Sequence, residues 1–548
     1  AQVLIIIMKH QPSNHRLGGF CERKIFMERI KPRTLSGFME LLPQKKQKME
    51  KILERLGLTT KISDAATLSD TVARFKERKI SLPTFAQLAD PSKIPADIKA
   101  RLADVDPDAP DPLNLYRVHW YNSEDRKGIV EVPVHLVLTK EVTGIDATVI
   151  TMVGCLAPMI GSHKVLAAYA CLAPRVILGA FNPTKHRAVW PSTGNYCRGG
   201  VAISRLMDCR GVAILPERMS AERFNWLREW TIKPEEDIIA TYGCESNVKE
   251  IYDKCNELAK DPTNFILNQF AEFNNHLAHY FCTGAALDKV FCEYKKANKN
   301  AKLRAFVSAT GSAGTIGAGD YLKEKHGSKT VAVEALECPT LLYNGFGDHN
   351  IQGIGDKHVP LIHNVMNTDF VLGITDKASD HTFALYNTEA GRDFLINRRG
   401  VKAELVELFK YLGLSSIANI LSAIKMAKYM NLGKDDVIMT VATDGARMYG
   451  SEKDLCLNRD FNGKFDSLDA AETFGQYTLG LNVDNIIELN QRDRERVFNL
   501  GYFTWCEQQG IDIEAFVARR DQSFWELMRS YVPEWDKMIE DFNKKVAG

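Results

Sequence analysis

Two hydrophobic periods alternate along most of this chain. Between about residues 113 and 450, short apolar runs ("VPVHLVL", "DATVITMV", "RVILGAF", "GVAILP", "LRAFVSA", "KTVAVEA", "DFVLGITD", "DDVIMTVA") are separated by stretches in which apolar residues recur every three or four positions. Continuous runs rich in Val and Ile predict strands buried on both faces, and the spacers predict helices that cover those faces. Strand and helix in alternation predict an α/β architecture with mostly parallel sheets. The flanks differ. Residues 35–110 carry "SGFMELLPQKKQKMEKILERLGL" and "TLSDTVARFKERKI", both of helical period, then the proline-rich "ADPSKIPADIKARLADVDPDAPDP", expected to form a linker or lid-like surface segment. Beyond residue 465 the pattern is helical again, and its aromatics fall at helical spacing, so they are expected to pack on the core rather than hold a cofactor.

Composition narrows the function. The 548 residues hold enough apolar chain for a sizeable core, and 70 Lys plus Arg against 69 Asp plus Glu leave a net charge of +1. No global field draws such a chain to nucleic acid or an anionic membrane, so a small neutral or zwitterionic partner is expected. The early run "VLIII" is too short for a membrane span and lacks the pattern of a cleaved leader, which predicts a cytoplasmic protein. Twelve cysteines form no C-x-x-C pair and no zinc-finger spacing with histidine, so reduced thiols and no metal site are expected.

The candidate chemistry starts at "FVSATGSAGTIGAGDYLKEKHG", residues 306–327. A strand, a glycine-rich turn and a helix start put unpaired backbone N–H groups in one concavity, which suits a phosphate. The stretch is neither a Walker motif, having no lysine after Gly314-Thr315, nor G-x-G-x-x-G. ATP and NAD are therefore disfavoured.

Four further segments share a resemblance. "PSTGNYCRGGVAISRLMDCRGVAILPERMSAER" (191–223), "LNQFAEFNNHLAHYFCTGAAL" (267–287), "IQGIGDKHVP" (351–360) and "GLSSIANILSAIKMAK" (413–428) occur in the order seen in one family, with "GSAGT" (311–315) in the place of its phosphate loop. The chain resembles the pyridoxal-phosphate enzymes of the tryptophan-synthase-β fold type (fold type II), in the cysteine synthase and cystathionine β-synthase branch. The resemblance spans roughly 300 residues and leaves both flanks unexplained.

What it implies is specific. Pyridoxal 5′-phosphate should sit in a cleft between two α/β domains, one spanning 160–285 and the other 286–455 with a leading segment at 113–159; 1–112 and 456–548 would be helical extensions, and a homodimer is expected. The cofactor needs a lysine amine for its Schiff base. Lys185 in "NPTKHR" lies too close to Ser192 for a helix and strand to intervene, whereas Lys164 in "GSHKVLAAYACLAPRVILGAF" leaves that room and resembles the family's G-S-x-K. Lys164 is therefore the expected catalytic and cofactor-linked residue. By resemblance, Asn195 bonds the cofactor's ring oxygen, Gly311, Ser312, Ala313, Gly314 and Thr315 hold its phosphate, and Ser415 faces its pyridine nitrogen. Ser192, Thr193, Gly194, Asn195 and Gln269 should clamp the substrate carboxylate. Three features depart from the family: Tyr196 stands where it has threonine, Val165-Leu166 replace an Asp-Arg pair, and "TMVGCLA" replaces a glutamate-rich strand before the lysine.

The implied reaction starts from an amino acid with a leaving group on Cβ. Lys164 removes the α-proton, the β-substituent departs to leave an aminoacrylate, and a thiol or sulfide adds or the product hydrolyses to pyruvate. O-acetylserine, serine and cysteine are candidate substrates. Cysteine desulfhydrase, cystathionine β-synthase and serine or threonine dehydratase activities stay open, as does a non-catalytic scaffold.

Overall fold

The computed structural model describes residues 35–548, with side chains from residue 44. The early "VLIII" run lies outside the described residues. Residues 49–548 form one compact unit.

Two sheets organise this unit. The wider sheet contains β1 (His135–Leu138), β2 (Thr148–Val153), β7 (Lys302–Ala309), β8 (Lys329–Ala335), β9 (Phe370–Ile374), β10 (Asp436–Ala442) and β11 (Ile486–Glu488), in the order β1-β2-β10-β7-β8-β9-β11. Its five central strands are parallel, and only the edge strands β1 and β11 run antiparallel to their neighbours. The smaller sheet is wholly parallel, in the order β5-β4-β3-β6, from β3 (Arg187–Pro191), β4 (Arg210–Pro216), β5 (Ile238–Thr241) and β6 (Asn264–Ile266).

The period of two along each strand builds two cores. Ile150, Met152, Phe306, Ala332, Val437 and Met439 feed one face of the large sheet, while Val149, Val307, Val331, Val333 and Ile438 feed the other. Helix α1 (Lys164–Ile177) and helix α2 (Asn195–Leu206) join the first core, and α2 packs on β3 and β4. Helix α3 (Ile316–His326) comes after β7, and α4 (Leu414–Tyr429) lies in the second core.

One predicted strand is a helix. "RVILGAF" supplies the last turn of α1 and the loop after it, because "VLAAYACLAPRVIL" is buried on every side, a pattern in which a buried helix and a buried strand read alike. The strand that leads to Ser192 is instead β3. The C-terminal segment is helical as expected apart from β11, which adds an edge strand to the large sheet.

The N-terminal and C-terminal segments meet over α1. In the last helix, α5 (Val532–Ala547), Trp535 Nε1 donates to Thr59 O at 2.8 Å, and the Asp536 carboxylate accepts from the N–H groups of Phe85 (2.6 Å) and Ala86 (3.0 Å). Asn543 exchanges two hydrogen bonds with Leu82, and Phe75 meets Phe542 edge to face at 5.4 Å. Tyr169 of α1 donates to Pro83 O beneath this layer. The proline-rich stretch is tied down too: Ile94, Leu102 and Tyr116 form a small core of their own.

Candidate active site

Ligands of open parallel sheets collect at the C-terminal ends of the strands, where helix N-termini and loops converge. Here the loops after β2, β3, β6, β7, β8 and β10 converge on one cavity, lined by Lys164, Ser192, Thr193, Asn195, Tyr196, Gln269, Gly311, Ser312, Gly353 and Thr443 among others.

Lys164 is the first residue of α1. Its Nζ donates to Ser312 Oγ at 3.3 Å, across 148 residues of sequence. Burial disfavours the ammonium and lowers the amine's pKa to about 8. Lys185, by contrast, lies on the surface, paired with Asp70 at 3.1 Å.

The phosphate-type turn spans residues 310–315. Ser312 Oγ accepts from Asn275 Nδ2 at 3.0 Å as well as from Lys164, and Asn275 also donates to Gln269 O at 3.1 Å. Among the described residues, the N–H groups of Gly311, Ser312, Ala313 and Thr315 donate to no other backbone group, while Gly314-Thr315 lead into α3. A Cβ on Gly314 would lie 2.2 Å from Asn275 Oδ1, so this glycine is required by close approach. Ala313 holds a left-handed φ of +60°, a conformation that favours glycine. Gly311 and Ser312 line the cavity, whereas Ala313, Gly314 and Thr315 form the turn behind it.

Ser192 and Thr193 sit between β3 and α2. Ser192 Oγ accepts from Gln269 Nε2 at 3.0 Å and from Gly194 N at 3.1 Å. Gly194 does not line the cavity; its φ of +146° and the 2.6 Å that would separate an added Cβ from Arg223 Cδ exclude any side chain there. Asn195 starts α2, its Nδ2 donating to Asp444 Oδ2 at 2.6 Å and its Oδ1 accepting from Arg198 at 3.1 Å. Ser415, in the first turn of α4, also lies off the cavity wall, but its buried hydroxyl has no hydrogen-bond partner and faces the Gly353 backbone.

Several residues of this region were not picked out from the sequence. Asp444 comes just after β10 and bonds Asn195 and Tyr449 Oη (2.7 Å), and burial raises its pKa. Its backbone bridges to Ser162, two residues before Lys164, so the β10 loop fixes the start of α1. Arg223, fully buried, donates to Gln352 Oε1 and to Tyr449 Oη (3.2 Å) and lies 3.4 Å from Glu245. The position of "TDGARMY" directly after a parallel strand was the available signal for Asp444 and Tyr449; nothing in "GCESN" marks Glu245.

Away from the cavity, His381, Cys456 and Asp460 lie within 4.8 Å of one another, but Asp460 is already bonded to His381 at 2.9 Å and to Arg459 at 2.8 Å, a closed ion network. The eleven described cysteines are free thiols. No described helix is long and apolar enough to cross a membrane.

Residues 149–444 match the family model described as pyridoxal-phosphate dependent enzyme. The chain belongs to this family. Among its curated relatives, cysteine synthase B of Campylobacter jejuni is 29% identical over 259 residues, covering 46% of this chain and 75% of that one. The cysteine synthase of Staphylococcus aureus is 28% identical over 263 residues (48% and 74%), and the cystathionine beta-synthase of Saccharomyces cerevisiae is 25% identical over 343 (58% and 63%). The protein is thus a pyridoxal-phosphate-dependent enzyme of fold type II. The site suits that cofactor on three counts: a partially deprotonated amine, a turn of unpaired N–H groups at a helix start, and a partnerless buried hydroxyl at Ser415.

Proposed function

We propose that this enzyme catalyses β-elimination and β-replacement on a β-substituted L-amino acid, with O-acetylserine, serine or cysteine as substrate and a thiol or sulfide as incoming nucleophile. The observation that carries it is the meeting of Lys164 Nζ with Ser312 Oγ at 3.3 Å, which puts an enclosed amine beside the anion-binding turn.

The residue roles follow the family resemblance, and the geometry of the site supports them. The bound cofactor supplies an aldehyde that links to amines and a ring that accepts the electron pair released at Cα. The turn 311–315 would hold the phosphate through its N–H groups and the α3 terminus, Asn195 the ring oxygen, and Ser415 the pyridine nitrogen. A neutral hydroxyl at that nitrogen does not enforce ring protonation, which favours loss of a β-substituent over transamination. Ser192, Thr193 and Gln269 would receive the substrate carboxylate; the Ser192–Gln269 bond already fixes their spacing. Lys164, with its pKa near 8, takes the α-proton as general base. Tyr196 narrows the cavity on the α2 side, its hydroxyl tied to Leu267 O at 3.1 Å.

Borohydride reduction of cofactor-loaded protein followed by peptide mapping tests this. The cofactor's mass is expected on Lys164, and pyruvate, sulfide and cysteine assays on the three substrates then identify the reaction. A label on any other lysine refutes the assignment.

A further inference from the structure

Besides Asp356, which lines the cavity, a buried acid stands behind its wall. Glu245, in the loop after β5, is 1% exposed. Its Oε1 accepts from Gly353 N at 2.7 Å and lies 3.4 Å from Arg223 Nη1, while Oε2 is buried with no hydrogen-bond partner. The Thr193 hydroxyl lies alongside the carboxyl. Thr193 and Gly353 both line the cavity, so the free oxygen sits just behind the place expected for substrate.

Its protonation state is constrained by its neighbours. Arg223 is shared with Gln352 and Tyr449 and only partly offsets the loss of water, so burial moves Glu245 up to about 7. The charged and titratable groups that act on it are Arg223, Asp444, Tyr449 and Lys164. An ionised carboxylate here would repel the carboxylate of an amino acid held by Thr193, whereas a neutral carboxyl has a proton to give on the side of the Thr193 hydroxyl, which lines the cavity.

We propose that Glu245 donates a proton to the departing β-substituent, so that the site takes amino acids whose leaving atom must gain a proton, an alcohol or a thiol, as well as activated esters. This rests on the reading above that a β-substituted amino acid binds between Lys164 and Thr193. In the step, the Cα proton goes to Lys164 Nζ and its electron pair forms the Cα=Cβ bond. The Cβ–X bond breaks with its pair on X, and X takes the Glu245 proton and leaves as HX. Glu245, now a carboxylate, regains a proton from the incoming thiol as sulfur bonds to Cβ, or from water in elimination.

The test compares wild type and Glu245→Gln, both cofactor-loaded, on serine and cysteine against O-acetylserine, whose acetate leaves without an acid. A fall in kcat of about 10²- to 10⁴-fold is expected on serine and cysteine, the usual range for a lost general acid, with a change under about threefold on O-acetylserine. A protonated-carboxyl infrared band should be present in wild type and absent from the variant. Wild type itself, which needs no variant to fold, should lose serine turnover above about pH 7 while keeping that of O-acetylserine. Equal losses on all three substrates, no loss on any, or a wild type that uses O-acetylserine but neither serine nor cysteine would each overturn the proposal while leaving the function above intact. Failure of the loaded wild type on all three substrates would reject that function, and this proposal with it.

Discussion

Gly314→Ala gives a sharp test of the turn that places Ser312 under the lysine. The added Cβ would fall 2.2 Å from Asn275 Oδ1, 2.7 Å from its Cγ and 2.8 Å from its Nδ2, so the Asn275 side chain has to move. Moving it breaks the hydrogen bonds to Ser312 Oγ and Gln269 O. At about 1 kcal/mol for each bond and about 1 kcal/mol for the crowding, the substitution should cost about 3 kcal/mol in all. Without cofactor, part of this is relieved by displacement of the turn and appears as lower stability. Binding demands the original turn, so the remainder appears as weaker cofactor affinity. The unfolding free energy of the apoprotein and the cofactor Kd from absorbance titration should together account for the total, which corresponds to roughly a hundredfold in Kd if all of it falls on binding. Gly433→Ala, at a site where a Cβ meets nothing within 4 Å, is the control. If Gly314→Ala left both quantities at the wild-type values, the close packing of Asn275 on the turn would be refuted.

The same site yields two further expected outcomes. Because the Lys164 amine reacts only when neutral and its pKa is lowered to about 8, capture of free cofactor by the apoprotein should slow about tenfold per pH unit below 8 and level off above it, as read by stopped-flow absorbance; a profile still rising steeply towards pH 10 would show an amine that is not enclosed. Ser415→Ala removes a buried hydroxyl without a protein partner, so apoprotein stability should change by less than about 1 kcal/mol while cofactor affinity falls by about the worth of one hydrogen bond, close to tenfold. Calorimetry and cofactor titration separate the two effects.

Much of this was legible in the sequence because the signals were local. The glycine spacing of 311–319 and the strand before it gave the turn, and the room between Lys164 and Ser192 separated Lys164 from Lys185. The error at "RVILGAF" arose where burial on every side erased the periodicity that separates helix from strand, and β3 escaped notice because Arg187 and Pro191 bracket only three apolar residues. Arg223, Gln352 and Glu245 matter through contacts between segments 22 to 129 residues apart, which no short window contains. Asp444 was within reach of a simple rule, since polar residues just past the C-terminal end of a parallel strand are the ones that face a ligand.

The lysine helix has its back covered by chain from outside the 149–444 catalytic stretch. Trp535, Asp536 and Asn543 on one side and Thr59, Leu82 and Phe85 on the other close over Tyr169 like two hands clasped above it. A fragment trimmed to the family's core would therefore expose an oily surface directly behind its reactive amine. Loss of activity on shortening either terminus should accordingly be judged first as a failure of this support, and only then as evidence of a separate task for the ends.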